Sequence, residues 1–384
     1  MSDIKDAIRI VDKGEICLVE WDLPGEKVNK LSSPVMERLR DVVDELAESS
    51  YKAAIFVSRK EKIYIAGADI EEIQKLNTKE AYMNAVTQAH EILNTLEDLP
   101  MLTVAAINGA CLGGGCEFAL ACDYRLGSDD KSTKIGLPEV QLGIIPGFGG
   151  CIRLPKLVGL AASLDIILAG KSVNAKKAKK IGLISEAVPK ELLEQRAIDF
   201  VTEKIARGGK KPSKTFEAKS MMDGFLNSFM GRSVVFKQAR KTVLKQSKGF
   251  YPAPIKAIEV VQKTYGSSNR ERCVLVEAES FCDVALTDVS GHLVNLFFAL
   301  EDVKKQTGVK DKNIKAKNVD YMAVLGAGVM GGGIAYQGAA KGVDVRMKDI
   351  TTDAIAKGLK AARDILGKKL KRRRISKFEL ANVM

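Results

Sequence analysis

VAAINGACLGGGCEFALACDYRLGSDDKSTKIGLPEVQLGIIPGFGG, residues 104–150, is the stretch on which the fold turns. It begins inside LTVAAI (102–107), an apolar run short and β-rich enough for a buried strand. Gly113, Gly114 and Gly115 follow, before a helix expected to begin near Cys116. Glycine lets the backbone turn sharply and lets a ligand approach closely. Free N–H groups at a helix start, with the helix dipole behind them, suit an oxyanion. Glu117 comes directly after the turn, in an otherwise apolar FALAC context. Burying a charge there is costly, so the carboxylate needs a partner or a task. Glu139 stands 22 residues later, after Pro138, in a loop bounded by Gly136 and Gly143. Each feature alone is bland: a turn, a paired structural charge, a solvated loop residue. Together they are specific, because two carboxylates around one site can divide general-acid and general-base work. Upstream, AGAD (66–69) is a second small-residue turn able to offer a backbone N–H, and two such donors make an oxyanion hole.

Around this stretch the pattern is strand, helix, strand. Residues 7–22 alternate about a turn at Gly14, and AAIFVS (53–58) reads as another buried strand. Thr78 can cap a helix running to about Leu96, with Ala81, Ala85, Ala89, Ile92, Leu93 and Leu96 on one stripe. Such an order predicts an α/β domain. From about residue 155 the pattern is mainly helical, with an exposed loop expected over 207–220 and periodic helices over 270–286 and 288–305. Residues 306–319 are polar, Lys-rich and aperiodic, and read as a linker.

The pattern then resets. YMAVLG (321–326) is a strand, a glycine-rich turn and a helix follow, and VDVRMKDI (343–350) is a second strand. Gly326, Gly328 and Gly331 form GxGxxG between strand and helix, and Asp349 ends the next strand. That is the context a dinucleotide fingerprint requires: a tight turn, backbone close to the pyrophosphate, and an acid for a ribose hydroxyl. An acid at 349 favours NAD over NADP.

The 384 residues carry a formal net charge of +12, with 46% apolar and 28% charged residues, which excludes a disordered or fibrous chain. The charge is uneven: +10 falls in residues 310–384 and only +2 in 1–309. KKLKRRR (368–374) holds six cations in seven residues. Without a nucleic-acid-binding fold or interleaved aromatics, it reads as a solvated helix face and not as a nucleic-acid site. No secretory leader is expected from the charged start, and no apolar run is long enough to cross a bilayer. Seven cysteines, mostly in apolar segments, read as reduced buried thiols of a cytosolic protein, and their spacing gives no zinc site.

AGADI (66–70), NGACLGGGCEFALACD (108–123), GLPEVQLGIIPGFGG (136–150) and IRLPKLVG (152–159) closely resemble the crotonase, or enoyl-CoA hydratase/isomerase, signature. KVNKLS (27–32) is similar to that family's first CoA-side loop. The resemblance implies a crotonase spiral of ββα units, with Ala68 and Gly114 donating the oxyanion N–H groups and Glu117 and Glu139 matching the hydratase carboxylates. Cys151-Ile152 departs from the Thr-Gln or Ser-Val of many members, and the gap between the two glutamates is slightly longer than usual. LGAGVMGGGIAYQGAAKGVDVRMKDI (325–350) resembles the start of 3-hydroxyacyl-CoA dehydrogenases, and YPAPIKAIEVV (251–261) the connector of multifunctional β-oxidation alpha subunits. The expected layout is therefore a hydratase/isomerase domain over 1–265, connector helices and linker over 266–319, and an incomplete NAD-binding Rossmann βαβ unit over 320–384. That family's dehydrogenase His–Glu pair lies further downstream, and His90 and His292 are expected to be structural or surface residues. The resemblance implies a bacterial cytoplasmic enzyme acting on acyl-CoA beside a thiolase beta subunit. A crotonase doing isomerisation alone and a non-catalytic assembly partner of a thiolase remain open at this point.

Overall fold

The computed structural model describes every residue except 1–3, 214, 219, 310, 312, 315 and 373. Lys214 and Lys219 of the expected loop, Lys310, Lys312 and Lys315 of the expected linker, and Arg373 of the basic run thus lie outside the described residues. The chain forms two compact units, Met1–Glu301 and Asp302–Met384.

In the first unit, β1 (Ile8–Asp12) and β2 (Ile16–Trp21) make the antiparallel hairpin expected around Gly14. Helix α1 (Ser33–Glu48) follows. One pattern then repeats: a strand in a larger sheet, a short strand in a smaller sheet, and one or two helices. Its first turn is β3 (Ala53–Ser58), β4 (Ile63–Ile65), α2 (Ile70–Lys75) and α3 (Lys79–Asp98). Its second is β5 (Leu102–Ile107), β6 (Ala110–Leu112) and α4 (Gly114–Ala121). Its third is β7 (Tyr124–Ser128), β8 (Lys134–Gly136), α5 (Gly150–Val158) and α6 (Leu160–Ala169). β9 (Ser172–Val173) then ends the smaller sheet, and after α7 (Ala175–Ile181), β10 (Glu186–Val188) ends the larger one. Strand orders are β1-β2-β3-β5-β7-β10 and β4-β6-β8-β9, parallel except for the β1–β2 and β8–β9 pairs. This is the ββα spiral expected from the resemblance.

Every residue of β3 and β5 is buried, because the sheet is covered on both faces. One face packs Ile55, Val57 and Val104 under Leu193, Ala197 and Phe200 of α8 (Leu193–Ala206). The other sets Trp21 and Phe56 edge-on against Phe118 of α4, with ring centroids 5.4 and 5.1 Å apart. A fully buried Phe is worth on the order of 1.5–3 kcal/mol. Phe118 therefore anchors the helix that carries Glu117. Helices α9 (Met221–Asn227), α10 (Phe229–Ser247), α11 (Pro252–Thr264), α12 (Arg270–Ala285) and α13 (Asp288–Lys305) complete the helical part. Among them α12 turns back onto the body, with Glu277, Ala278, Phe281 and Cys282 buried.

The short strands β4, β6, β8 and β10 escape a sequence reading, since three residues are too few to show a period. β9 and β10 also interrupt a region expected to be mainly helical. Thr78 does cap α3, accepting from the Ala81 N–H at 3.2 Å. Of the expected stripe Ala89, Ile92, Leu93 and Leu96 are buried, but toward the start of the helix Tyr82 and Val86 are the buried residues, not Ala81 and Ala85.

In the second unit, β11 (Tyr321–Leu325) and β12 (Asp344–Lys348) pair in parallel on either side of α14 (Val329–Ala339) in sequence, giving the expected βαβ unit. α15 (Thr352–Lys371) and α16 (Lys377–Val383) pack on it through a small core of Tyr336, Ala362 and Leu366. Lys368, Lys369 and Lys371 sit in the last turn of α15, where cations favour the negative end of the helix dipole. Among the described residues no helix is long and apolar enough to cross a membrane, and no cluster of His, Cys, Asp or Glu could hold a metal ion.

Candidate active site

β6 ends at Leu112, and Gly113, with a φ of +53°, turns the chain directly into α4. The helix thus begins at Gly114, two residues earlier than the sequence suggests. Gly114 occupies the first helical position, so its N–H has no intrahelical acceptor. The second turn, Ala66–Asp69, is stitched to the KVNKLS stretch. The Ala66 N–H donates to the Asn29 carbonyl (2.8 Å), the Leu31 N–H to the Gly67 carbonyl (2.8 Å), and the Asp69 N–H to the Leu31 carbonyl (3.0 Å). This bridge leaves the N–H of Ala68 itself outside it. Asn29 is fully buried and locks the stretch by donating to the Trp21 and Tyr64 carbonyls and to the Ser58 hydroxyl. A Cβ placed on Gly67 would lie 3.9 Å from the Gly114 nitrogen, so the two turns adjoin.

Both glutamates are buried, Glu117 to 2% and Glu139 to 8% exposure. They face the same space. Oε1 of Glu117 accepts the N–H groups of Phe148 (2.8 Å) and Gly150 (2.7 Å). Both oxygens of Glu139 are buried without a hydrogen-bond partner among the described residues, and a Cβ on Gly113 would lie 3.3 Å from its Oε1. Burial, with the charges of Glu139 and Glu277 added, holds the Glu117 carboxyl well above the usual carboxylate range, while its two N–H donors pull it back. Burial pushes Glu139 up to about 8, helped by Cys116 and Glu277. An unpartnered carboxyl inside a protein is most stable when protonated.

Ala68, Gly114, Glu117 and Glu139 all line one cavity, whose other walls are mostly apolar, Leu76, Tyr82, Val86 and Phe281 among them. A neighbouring cavity shares Ala68, Ile73, Leu76, Ala85 and Phe148 with it and adds Ser33, Glu37, Arg40 and Gln88. The arrangement offers two N–H donors for a developing oxyanion, two carboxyls for proton transfer, and an apolar wall for a ligand's tail.

In the second unit, the fingerprint residues also come together. Gly326 turns with φ +95°. A Cβ on Gly328 would meet nothing within 4 Å, leaving that backbone open to a phosphate. A Cβ on Gly331 would lie 1.7 Å from the Gly326 carbonyl oxygen, so only glycine fits there. Asp349 accepts the Ala327 N–H (2.6 Å) and the Ile350 N–H (2.7 Å), which hold its carboxyl below the usual range. An ionised acid beside an open glycine turn fits the diphosphate and ribose of a dinucleotide.

One residue of the first site is invisible to motif reading. Glu277, fully buried on α12, accepts the Gly149 N–H (2.7 Å) and the Cys151 N–H (2.9 Å), and the Nε2 of buried His90 lies 2.9 Å from its Oε2. The available signal was a pair of acids, Glu277 and Glu279, in the otherwise mostly apolar run CVLVEAESFC (273–282). His90, expected to be structural or surface, is buried beside Glu277 and does not lie at the surface.

Residues 12–241 match the family described as enoyl-CoA hydratase/isomerase, and residues 321–384 match the family described as 3-hydroxyacyl-CoA dehydrogenase, NAD binding domain. The fatty acid oxidation complex subunit alpha of Shewanella halifaxensis is 38% identical over 96% of this chain and 51% of its own length. That of Vibrio vulnificus is 37% identical over 100% of this chain and 53% of its own length. The chain thus spans about half the length of the curated relatives it matches. Among solved structures, an enoyl-CoA hydratase from Bacillus anthracis superposes with a TM-score of 0.50 at 29% identity, covering 67% of this chain and 96% of that one. Human mitochondrial delta3-delta2-enoyl-CoA isomerase superposes with a TM-score of 0.55 at 22% identity, covering 78% of this chain and 100% of that one, a likeness of fold.

Proposed function

Because the chain belongs to the enoyl-CoA hydratase/isomerase family, we propose that it adds water to 2-trans-enoyl-CoA in fatty-acid β-oxidation, giving 3-hydroxyacyl-CoA, with Δ3-Δ2-enoyl-CoA isomerisation at the same site. The observation that carries this reading is the pair of buried carboxyls, Glu117 and Glu139, on one cavity wall with the Ala68 and Gly114 turns. The thioester oxygen sits between the N–H groups of Ala68 and Gly114, which stabilise the enolate as charge builds on it. A water lies between the two carboxyls. Glu117, whose anion is supported by two N–H donors, takes a proton from the water as its oxygen bonds to the β carbon. Glu139, unpartnered and pushed up to about 8, gives its proton to the α carbon. Isomerisation uses the same donors to hold the enolate while a carboxyl moves a proton between the α and γ carbons. The test is crotonyl-CoA hydration by Glu117→Gln and Glu139→Gln. Each should lose at least about 10²-fold, the scale of a lost acid or base; unchanged rates in both would overturn the assignment.

For the division of the chain we propose the layout read from the sequence: hydratase chemistry in 1–265, a connector in 266–319, and NAD recognition by Gly326, Gly328, Gly331 and Asp349 in 320–384. NAD bound there would supply hydride-accepting chemistry for a 3-hydroxyacyl-CoA. The names of the relatives, subunits alpha of a fatty acid oxidation complex, support a partner subunit, for which a thiolase acting on the same acyl-CoA series is the natural candidate, in a bacterial cytoplasm. Co-purification of the full chain with a thiolase tests that pairing.

A further inference from the structure

We infer that Glu277, on a helix beyond the 12–241 segment matched to the hydratase/isomerase family, is a positioning residue that fixes the working orientation of Glu117 by sharing with it one four-residue stretch of backbone. The inference rests on the hydratase reading above.

Four consecutive N–H groups lead into α5, and two carboxylates take them alternately. Phe148 and Gly150 donate to Glu117, while Gly149 and Cys151 donate to Glu277. These groups lie at a helix start, where N–H groups lack intrahelical partners; Gly149, Gly150 and Cys151 are buried and Phe148 is half-buried. Glu277 takes its two N–H groups on separate oxygens, Oε2 and Oε1. Glutamine could accept only one of them and would turn an NH2 group toward the other. Arg153 holds the same stretch from its carbonyl side, donating to the Phe148 carbonyl at 2.9 Å while it is itself held by Glu97 and Asn94. The stretch is therefore pinned on both sides. Glu117 commits only Oε1 to it, and no hydrogen bond among the described residues engages Oε2. Pinning Oε1 aims Oε2 for proton transfer, and a sub-ångström loss of aim is enough to slow such a step.

The charge of Glu277 also reaches the reacting pair, helping to raise both Glu117 and Glu139. The titratable groups around it are His90 on α3, Glu117 on α4, Arg153 and Cys151 on α5, and Glu139. Two N–H donors and the His90 imidazole surround the buried Glu277 carboxylate.

The experiment compares the full chain with Glu277→Gln and Glu277→Asp in crotonyl-CoA hydration, reading kcat, KM and the pH profile. For Glu277→Gln, kcat should fall by roughly 10–100-fold, the usual scale for losing an orienting partner, with KM little changed. The pH–rate limbs should move to lower pH, because a negative neighbour has been removed. Glu277→Asp keeps the charge and should return the limbs to their original pH while kcat stays reduced. A role in stability alone would lower the unfolding midpoint and leave the pH limbs in place, overturning the inference, as would a kcat within twofold of the parent. Should Glu277→Gln fail to fold, the kcat of Glu277→Asp decides, a fall supporting the role and an unchanged value overturning it. Parent turnover with an unaffected Glu277→Gln overturns the positioning role and leaves the hydratase reading standing, whereas a parent that hydrates nothing removes both.

Discussion

The chain uses the same device twice, and burial separates the outcomes. At 112–117 and at 325–331 a strand runs through a glycine turn into a helix whose first N–H groups are free. In the first unit the turn lies inside, beside two carboxyls forced upward by desolvation. In the second it lies outside, with Val329 fully exposed and Asp349 held ionised by backbone N–H groups. A buried turn can stabilise charge that develops during a reaction, because water is excluded and no reorganisation is needed. An open turn suits a ligand that arrives already charged, such as a diphosphate.

Deleting the corresponding N–H in each turn should give the largest contrast. Proline is tolerated at a first helical position and has no N–H. Gly114→Pro should lower hydration by about 10²–10³-fold, the scale of a lost oxyanion donor, while Val329→Pro should leave hydration unchanged. Equal effects in a steady-state assay would break the contrast. A methyl group probes the packing. A Cβ on Gly115 would lie 2.3 Å from the Ile65 carbonyl oxygen, whereas one on Gly328 meets nothing within 4 Å. Gly115→Ala should therefore cost roughly 1–3 kcal/mol in a denaturant titration, and Gly328→Ala close to nothing.

Opposite pH dependences follow from the opposite shifts. Glu117 and Glu139 both have raised folded values, so their stabilisation is complete below the unfolded carboxylate range near 4.3 and is lost as pH rises through the folded values, for Glu139 about 8. Asp349 is lowered, so its contribution is present at neutral pH and lost on acidification through its folded value. Unfolding followed in the first unit by Trp21 fluorescence should show stability declining between about pH 5 and 8, and Glu139→Gln should flatten that slope. The smallest effect belongs to Asp349→Asn, which should leave crotonyl-CoA hydration within about twofold, well short of the loss of a catalytic group.

What could be read from residues alone follows the range of each interaction. The strands 53–58 and 102–107, the Thr78 cap and the glycine turns are local, and their residues announce them. Glu117 was legible because a charge inside an apolar run needs a cause, and Glu139 because it completes a constellation with Glu117 and the glycine turns. Four strands of three residues carry no period and are created by their neighbours in the sheets. Glu277 reaches its acceptor role across more than 120 residues of chain, so no motif around it could reveal the partner. Ala85 sits on the expected helix, yet that Tyr82 and Val86 would be buried there while Ala85 stays exposed beside them was decided by tertiary packing.

The most direct test of a working buried carboxyl pair is the pH profile of kcat/KM for crotonyl-CoA hydration, followed as loss of the conjugated enoyl absorbance. The hydratase assignment predicts a rate that falls as pH rises through about 8, where Glu139 gives up the proton it must donate, and a limb that disappears in Glu139→Gln along with most of the activity. A profile flat through that range, or a Glu139→Gln variant as fast as the parent, would contradict it.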